Sequence, residues 1–378
     1  MNLFTKTAPW VVASLIAATS AFGQNKSPPP AQKTFEPGHE LMSNQFMAAY
    51  NAPARIDVRG AWDFYAFGAF TYWQARQENM ELAFVRDTTS TADFEGDFVN
   101  LDFDYKPGFK VGIGMNFDHD NWDTSLIYTW FRSKNTQHTS VDGLSSEIFP
   151  LIGHPEVTDH STYTSAKEAW HLHMDLLDLE LARSHYSGMS LTFRPFFGAR
   201  AAWIRQREHA IYATPIAGVL ENEEIVPDTT VNVVQKSYSW AVGPRAGLYS
   251  NWMLGQGFRL YGNGAGDILY TRYSELSERA EEVTAGVPGA TDHPRQKNND
   301  YLRTHLELEL GIAWASYFDN NNWHVDLAAG YTFQTFFNQN MFRHYVRNSG
   351  FGNAEAYSTC PNGDLFIHGL TATLRFDF

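Results

Sequence analysis

The residues of this sequence that could do chemistry occur in short alternating groups. His171, His173 and Asp175 alternate within WHLHMDL, and Glu307 and Glu309 alternate within RTHLELEL. A His-x-His pair on a strand places both imidazoles on one face, where they could bind zinc or copper. Two neighbouring carboxylates could bind calcium or form an acidic constriction. Because no third and fourth ligand can be placed, we predict no metal site and no cofactor.

Two His-x-Ser pairs raise the question of hydrolytic chemistry. His138 precedes Ser140, and His185 precedes Ser187. A serine nucleophile needs a histidine base and an orienting polar group. The first pair lies in a predicted loop and the second in a predicted turn. Neither lies on a surface that a membrane lipid would reach as a substrate. We therefore expect no enzyme activity, and keep an outer-membrane phospholipase as the least favoured alternative.

Composition and the first residues narrow the class of protein. The formal charge of −14 argues against a nucleic-acid partner, and the single cysteine excludes an intramolecular disulfide. Residues 1–23 have the pattern of a cleaved signal peptide, with a charged start, an apolar stretch and small residues before the cut. Residues 24–56 form a Pro-rich, then mixed segment, predicted to be periplasmic or partly in the lumen. No later apolar stretch is long enough for a membrane-spanning helix.

Period-two alternation dominates the chain from Trp62 onward, which indicates strands. The stretches GFKVGIGMNF and WDTSLIYTWF flank a four-residue polar turn, as in a hairpin. Aromatic residues bracket several strands at a spacing close to the height of a bilayer's apolar band. Short and long connections alternate, as periplasmic turns and extracellular loops do in outer-membrane barrels.

The fold class predicted is therefore all-β, a closed antiparallel transmembrane barrel over residues 57–378. The pattern gives about twelve strands, and ten or fourteen also fit. The strands are predicted near 62–74, 79–86, 96–105, 108–117, 122–133, 168–183, 189–204, 236–250, 257–273, 301–317, 323–337 and 364–378.

The face opposite the apolar one is predicted to line the lumen. In the stretch WHLHMDL, this puts Trp170, Leu172, Met174 and Leu176 against lipid. A slip in phase at Leu177 then suggests a bulge. The predicted pore-lining residues are Lys110, His171, His173, Asp175, Arg194, Arg200, Arg245, Arg259, Asp267, Arg303, His305, Glu307, Glu309, His324 and Asp326. Their charges would set ion selectivity, or would pair across strands and fill a narrow lumen.

The chain ends on an alternating strand, LTATLRFDF. In lipid every backbone group must be paired, so the last strand should pair with the first and close the sheet. By resemblance to outer-membrane proteins, Phe376 and Phe378 look like the signal read by the barrel assembly machinery.

Several stretches together resemble one family. They are NAPARIDV, FTYWQARQENMELAF, YKPGFKVGIG, WDTSLIYTWF, LTFRPFFGARAAWIRQ and the terminal strand. In this order they are similar to pore-forming outer-membrane proteins related to the Legionella major outer membrane protein, found also in chlamydia-like bacteria. The resemblance implies a porin-like barrel in the bacterial outer membrane and no set of catalytic residues.

We therefore predict a porin-like channel for passive diffusion of ions and small hydrophilic solutes. The alternative is a plugged or substrate-specific barrel, either a gated transporter or a surface antigen or adhesin acting through its loops. The expected partners are outer-membrane lipid, the barrel assembly machinery, ions and small solutes. A homo-oligomer stays open, because the sequence marks no interface.

Overall fold

A computed structural model gives the fold. It describes residues 54–58, 63–87, 96–117, 121–143, 145–153, 155–158, 163–214, 220–221, 224–225, 228–348, 355–359 and 362–378. The predicted signal peptide, most of the segment 24–56 and Cys360 lie outside these ranges. Within them, no helix is both long and apolar enough to cross a bilayer.

Nearly all of the described chain is β-strand, with one short helix, α1, at Pro155–Thr158. The strands are β1 Phe64–Gln77, β2 Glu81–Asp87, β3 Gly96–Asn100, β4 Tyr105–Asn116, β5 Trp122–Ser140, β6 Ser146–Pro150, β7 Ser165–Arg183, β8 His185–Ser187, β9 Leu191–Ala213, β10 Leu220–Glu221, β11 Glu224–Ile225, β12 Thr229–Gly255, β13 Phe258–Thr284, β14 Val287–Asp292, β15 Arg295–Gln296, β16 Asn299–Phe318, β17 Trp323–Asn340, β18 His344–Asn348, β19 Glu355–Thr359 and β20 Gly363–Asp377.

Ten of the described strands form a closed antiparallel barrel. Their order around the barrel is β1, β4, β5, β7, β9, β12, β13, β16, β17 and β20, and β20 pairs with β1. The closure runs to the last residue, since the backbone N–H of Phe378 donates to the carbonyl of Phe64 over 3.0 Å, and the N–H of Phe64 donates back. The predicted fold class and the pairing of the last strand with the first are confirmed.

The number of barrel strands is ten, the lower of the values that the sequence left open. The predicted strands near 79–86 and 96–105 correspond to β2 and β3, but β2 pairs with β3 on one side and with β6 on the other in a separate three-stranded sheet. Their alternation has the same period as that of a barrel strand. Period alone therefore does not distinguish a barrel strand from a strand in a connection.

Short and long connections alternate along the barrel. The short ones follow β4, β7, β12 and β16, and we take their side as periplasmic. The opposite, extracellular connections contain β2 and β3, then β6 and α1, and later β14, β15, β18 and β19. The wall is tall on this side: β12 and β13 are each 27 residues long, so segments predicted as loops continue as strands.

Outward-facing aromatic residues mark the height of the apolar band on the wall. Trp130, Trp203 and Trp240 lie in one row across β5, β7, β9 and β12, and Trp122 lies eight positions below Trp130. Eight residues of strand span roughly 26 Å, close to the height of a barrel's lipid-facing band. We treat the wall between these levels as membrane-spanning.

Two glycines of β4 let aromatic rings lie inside the barrel. Gly112 pairs with Phe67 of β1, and Gly114 pairs with Tyr65. A Cβ atom at either glycine would overlap the ring of its partner. This explains the Gly-x-Gly pattern on the inward face of an otherwise apolar strand.

The prediction for β7 was wrong in its upper half. The strand has no bulge against either neighbour, and Trp170, Leu172 and Met174 are fully buried in the lumen. The apparent slip in phase at Leu177 has another cause: the inward residues change from apolar above to acidic below, at Asp178 and Glu180. His171, His173 and Asp175 consequently face outward.

Candidate functional site

Ion pairs that cross the barrel define the interior at mid-height. The Lys110 ammonium on β4 lies 3.0 Å from the Glu307 carboxylate on β16, although three strands separate these two in the sheet. On the opposite wall, Arg200 of β9 donates to Asp178 of β7 over 2.6 Å. These contacts run through the lumen, so they identify the inward face.

Arg200 and Arg245 hold the centre of this layer. Arg200 donates to Asp267 over 3.0 Å and to Glu307 over 3.1 Å. Arg245 donates to the same two carboxylates, over 3.2 and 2.9 Å. His305 contacts Asp267 and completes the network. We call the set the lumen charge cluster: Lys110, Asp178, Glu180, Arg200, Arg245, Asp267, His305 and Glu307.

The cluster is nearly balanced in charge. It contains three cations against four carboxylates, so a proton on His305 would make it neutral. Arg200 is 2% exposed and Asp267 is 3% exposed. Removing one partner of a buried ion pair is strongly destabilising, because it leaves an uncompensated charge. The charge cluster joins side chains from six barrel strands across the lumen. Because its ion pairs are buried, it holds these strands in a fixed arrangement.

Below the cluster lies a polar cavity of about 550 Å³. Its upper wall includes Lys110 and Glu307, and it reaches Ser184 and Gly257 of the periplasmic turns. Arg194 contacts Asp123 on one side of it. Arg259 contacts Asp326 on the other side, at 2.5 Å. The cavity is a hydrophilic vestibule on the periplasmic side of the charge cluster.

Above the cluster the lumen is filled by apolar side chains. Trp73, Phe131 and Trp170 come from the wall and are fully buried. Leu101 and Phe342 come from extracellular connections and are also buried in the layer. We call this set the apolar layer: Trp73, Ala75, Met80, Leu101, Phe131, Trp170, Leu172, Met174, Leu176, Ala202, Ile204, Ala241, Leu269, Phe336, Phe342, Leu365 and Ile367.

The apolar layer rests directly on the charge cluster. The Lys110 ammonium lies 5.1 Å from the centre of the Trp73 ring, within the range of a cation–π contact. Phe103, from the connection before β4, packs edge-on against Trp170 with centroids 5.6 Å apart. Passage through the lumen would therefore require movement of loop-borne side chains as well as of the ion pairs.

The sheet of β2, β3 and β6 packs inside the extracellular wall, above the apolar layer. The Tyr212 hydroxyl of β9 donates to the Leu82 carbonyl of β2 over 2.7 Å. Beneath the sheet, Glu168 of β7 and Glu208 of β9 are both buried on the inward face. Burial raises the pKa of Glu168 to about 7, and the charge of Glu81 adds to this effect. Burial and the neighbouring Glu168 carboxylate raise the pKa of Glu208 well above its ordinary value.

The structure places twelve of the fifteen predicted pore-lining residues on the inward face. Six belong to the lumen charge cluster, and Lys110 lies at its end on β4. Arg194, Arg259, Glu309, His324 and Asp326 border the vestibule. Arg303 lies higher, in the same phase of β16 as His305, with its guanidinium 4.5 Å from the Tyr301 ring.

His171, His173 and Asp175 are the three that do not face the lumen. They lie on the outward face of β7, and Asp175 pairs with Arg132 at 2.8 Å. The prediction assumed that the apolar residues between them met lipid, whereas those residues fill the barrel. Within the described ranges, no group of three or more His, Cys, Asp or Glu side chains is arranged to hold a metal ion.

Sequence reasoning missed the acids that complete the ion pairs. Asp178 and Glu180 belong to the charge cluster, and Asp123 and Asp377 bind Arg194 and Arg375 near the periplasmic end. The sequence did contain evidence for two of these acids. Asp178 and Glu180 alternate with Leu177, Leu179 and Leu181, which indicates that both acids lie on the polar, inward face of β7. Asp123 lies next to Trp122, close to a turn. An acid is common there because the turn is exposed to water, so its type and position did not indicate an ion pair.

Fold and site together define a closed outer-membrane-type barrel with a charged, side-chain-filled lumen. The family described as the Legionella pneumophila major outer membrane protein precursor matches residues 57–378, and the chain belongs to this family. The resemblance stated from the sequence is confirmed, and membership of this family places the protein in the bacterial outer membrane. No curated protein matches the sequence significantly.

Solved structures of outer membrane proteins match the chain only at low similarity. The outer membrane protease OmpT of Escherichia coli is 9% identical, with 83% of this chain and 96% of that chain covered and a TM-score of 0.36. The toluene transporter TbuX of Ralstonia pickettii is 11% identical over 82% and 88%, with a TM-score of 0.29. A major outer membrane protein of Thermus thermophilus is 12% identical over 82% and 99%, with a TM-score of 0.25. Similarity at this level carries no argument about function.

Proposed function

We propose that the protein is a gated channel for ions and small hydrophilic solutes in the outer membrane. The observation that carries the proposal is the stacking of a polar vestibule of about 550 Å³, a charged layer and a loop-borne apolar layer along one lumen. A charged lining inside a lipid-embedded wall suits a path for hydrated solutes. No chemical step is assigned to this path.

The small strand number supports a gated rather than a permanently open path. Eight strands leave an interior that side chains can fill, whereas sixteen to eighteen leave an aqueous channel. A barrel of ten strands is close to the lower limit, and its apolar layer is closed by side chains such as Trp73 and Trp170. Opening then requires that Leu101 and Phe342 leave the lumen with their connections and that the ion pairs of the charge cluster rearrange.

A solute-flux measurement tests this function. The purified chain would be reconstituted into liposomes, and the rate of swelling would be measured in isotonic solutes of increasing size. We expect slow permeation of small solutes, and at least tenfold faster permeation after Leu101→Ala with Phe342→Ala. The double variant should keep a size limit, since the charge cluster stays in place.

The control is Phe333→Ala, equal in size to the Phe342→Ala change but on the lipid-facing side of β17, where Phe333 is 52% exposed. It should leave the permeation rate unchanged. If neither wild type nor the double variant is permeable although both are inserted and folded, the channel proposal is wrong. The alternative of a protein acting through its loops would then be favoured.

A further inference from the structure

The outer wall carries a band of cations just above the membrane-spanning level. Its cations lie on the outward faces of β5, β9 and β12, and outward histidines of β7 lie between those of β5 and β9. Its members, which we call the basic band, are Arg132, Lys134, Arg205, Arg207 and Lys236. The whole chain has a formal charge of −14, so this concentration of positive charge is local.

Strand register lines these side chains up in rows. Lys134 pairs with His171, His171 with Arg207, and Arg207 with Lys236, which makes one continuous row across the four strands. In the row below, Arg132 pairs with His173, and His173 with Arg205. Neighbouring strands are about 4.8 Å apart, so several cations fall within the width of one lipid headgroup.

The band is poorly neutralised by the protein. Asp175 pairs with Arg132 at 2.8 Å. For Lys134, Arg205, Arg207 and Lys236, the described part of the chain places no carboxylate oxygen within 4.0 Å. Burial lowers the pKa of His171, and the charges of Lys134 and Arg207 lower it further. Burial and the charge of Arg132 likewise lower the pKa of His173, so the charge of the band comes from arginine and lysine.

The position of the band fits a lipid headgroup. Directly below it lies the outward row of Trp130, Trp203 and Trp240, at the level where aromatic side chains meet the membrane interface. Arg132 lies over the Trp130 ring at 5.0 Å, so the two levels are continuous. The band is on the side of the long connections, which faces the cell exterior.

We propose that the basic band binds the phosphate groups of a phosphorylated glycolipid in the outer leaflet of the outer membrane. Arginine forks bind phosphate through paired hydrogen bonds, and lysine adds a point charge. The tryptophan row below would contact the start of the acyl chains. This inference rests on the location of the protein and not on its proposed function as a channel.

Binding of defined lipids to the full-length barrel tests the proposal. The protein in non-ionic detergent would be titrated with phosphorylated lipopolysaccharide and with the same lipid after enzymatic removal of its phosphates. We expect the dephosphorylated lipid to bind at least tenfold more weakly. Arg205→Gln with Arg207→Gln should weaken binding of the phosphorylated lipid about 25-fold, at about fivefold for each cation removed.

Two further variants make the result specific. Arg279→Gln with Arg295→Gln removes two exposed cations elsewhere on the extracellular part, and should leave the affinity unchanged. Arg205→Lys with Arg207→Lys keeps the charge and should restore most of the affinity. A heat-dependent shift in electrophoretic mobility checks that each variant is a folded barrel.

Three outcomes would overturn the proposal. The first is wild-type affinity in the Arg205 and Arg207 double Gln variant. The second is equal binding of phosphorylated and dephosphorylated lipid. The third is equal binding of inorganic pyrophosphate or phosphatidylglycerol, which would mark a general anion site or a generic anionic interface instead of a glycolipid site.

Discussion

The buried carboxyl pair under the extracellular sheet predicts a pH-dependent closure of the lumen. Glu168 has an ordinary pKa of 4.5 that burial raises to about 7. The folded state therefore holds the proton more tightly than a state in which Glu168 is hydrated. The stabilisation is fully present below pH 4.5 and is lost as the pH rises through about 7.

The size of the effect follows from that shift. At about 1.4 kcal/mol for each tenfold change in proton affinity, it corresponds to about 3 kcal/mol between pH 4.5 and pH 8. We expect the sheet of β2, β3 and β6 to open more readily at pH 8 than at pH 5, by about a hundredfold in the opening equilibrium. Glu168→Gln with Glu208→Gln removes both titrating carboxyl groups of the pair, so most of this pH dependence should disappear.

Hydrogen exchange followed by mass spectrometry measures this opening at the amides of β2, after correction for the intrinsic effect of pH on exchange. Glu275→Gln is the control, because Glu275 is a partly exposed carboxylate on β13 that pairs loosely with Arg295 at 3.7 Å. Equal protection of β2 at pH 5 and pH 8 in the wild-type protein would refute the reasoning. The reasoning would also be refuted if the Glu168→Gln, Glu208→Gln variant lost protection between pH 5 and pH 8 as the wild type does.

Four further predictions concern the lumen and the last strand. Arg194→Ala with Arg200→Ala should shift the reversal potential toward cations, and an unchanged potential in bilayer recordings would contradict this. Arg200→Ala alone should lower the free energy of unfolding by about 3–5 kcal/mol, because Asp178 and Asp267 lose their buried partner. An unchanged free energy in denaturant titrations would contradict that prediction. Trp170→Ala should lower the free energy of unfolding by about 3–5 kcal/mol, whereas Trp203→Ala on the outward face should cost less; an equal loss would argue against the apolar layer. Deletion of Phe378, which closes the barrel against Phe64, should reduce assembly in the outer membrane, and normal heat-modifiable protein at normal abundance would contradict this.

The sequence predicted the barrel well where each strand has one apolar and one polar face. In β16 and β17, for example, Leu308 and Phe333 face outward, and Glu307 and Asp326 face inward, as their alternation indicates. Closure between the first and last strands also followed, because a membrane-embedded sheet cannot leave an edge unpaired.

The remaining part could not be predicted, because alternation identifies two faces without saying which one is inside. In β7, Trp170 and Met174 share a face with Asp178, and only the neighbouring strands show that this face is the lumen. Leu101 and Phe342 reach the apolar layer from connections, where no periodic pattern marks them. The ion pairs of Arg200 join residues up to 107 positions apart. A single sequence does not show which distant charged residues meet in the folded barrel.

Single-channel recording in a planar bilayer, with a salt gradient, tests the central claim most directly. Wild-type protein should show discrete ohmic openings from a mostly closed state, and Phe342→Ala should raise the open probability at least tenfold without a similar effect of Phe333→Ala. A correctly inserted wild type and a Phe342→Ala variant that are both silent would show that the lumen is a permanent plug. In that case the account of the protein as a gated channel would be wrong.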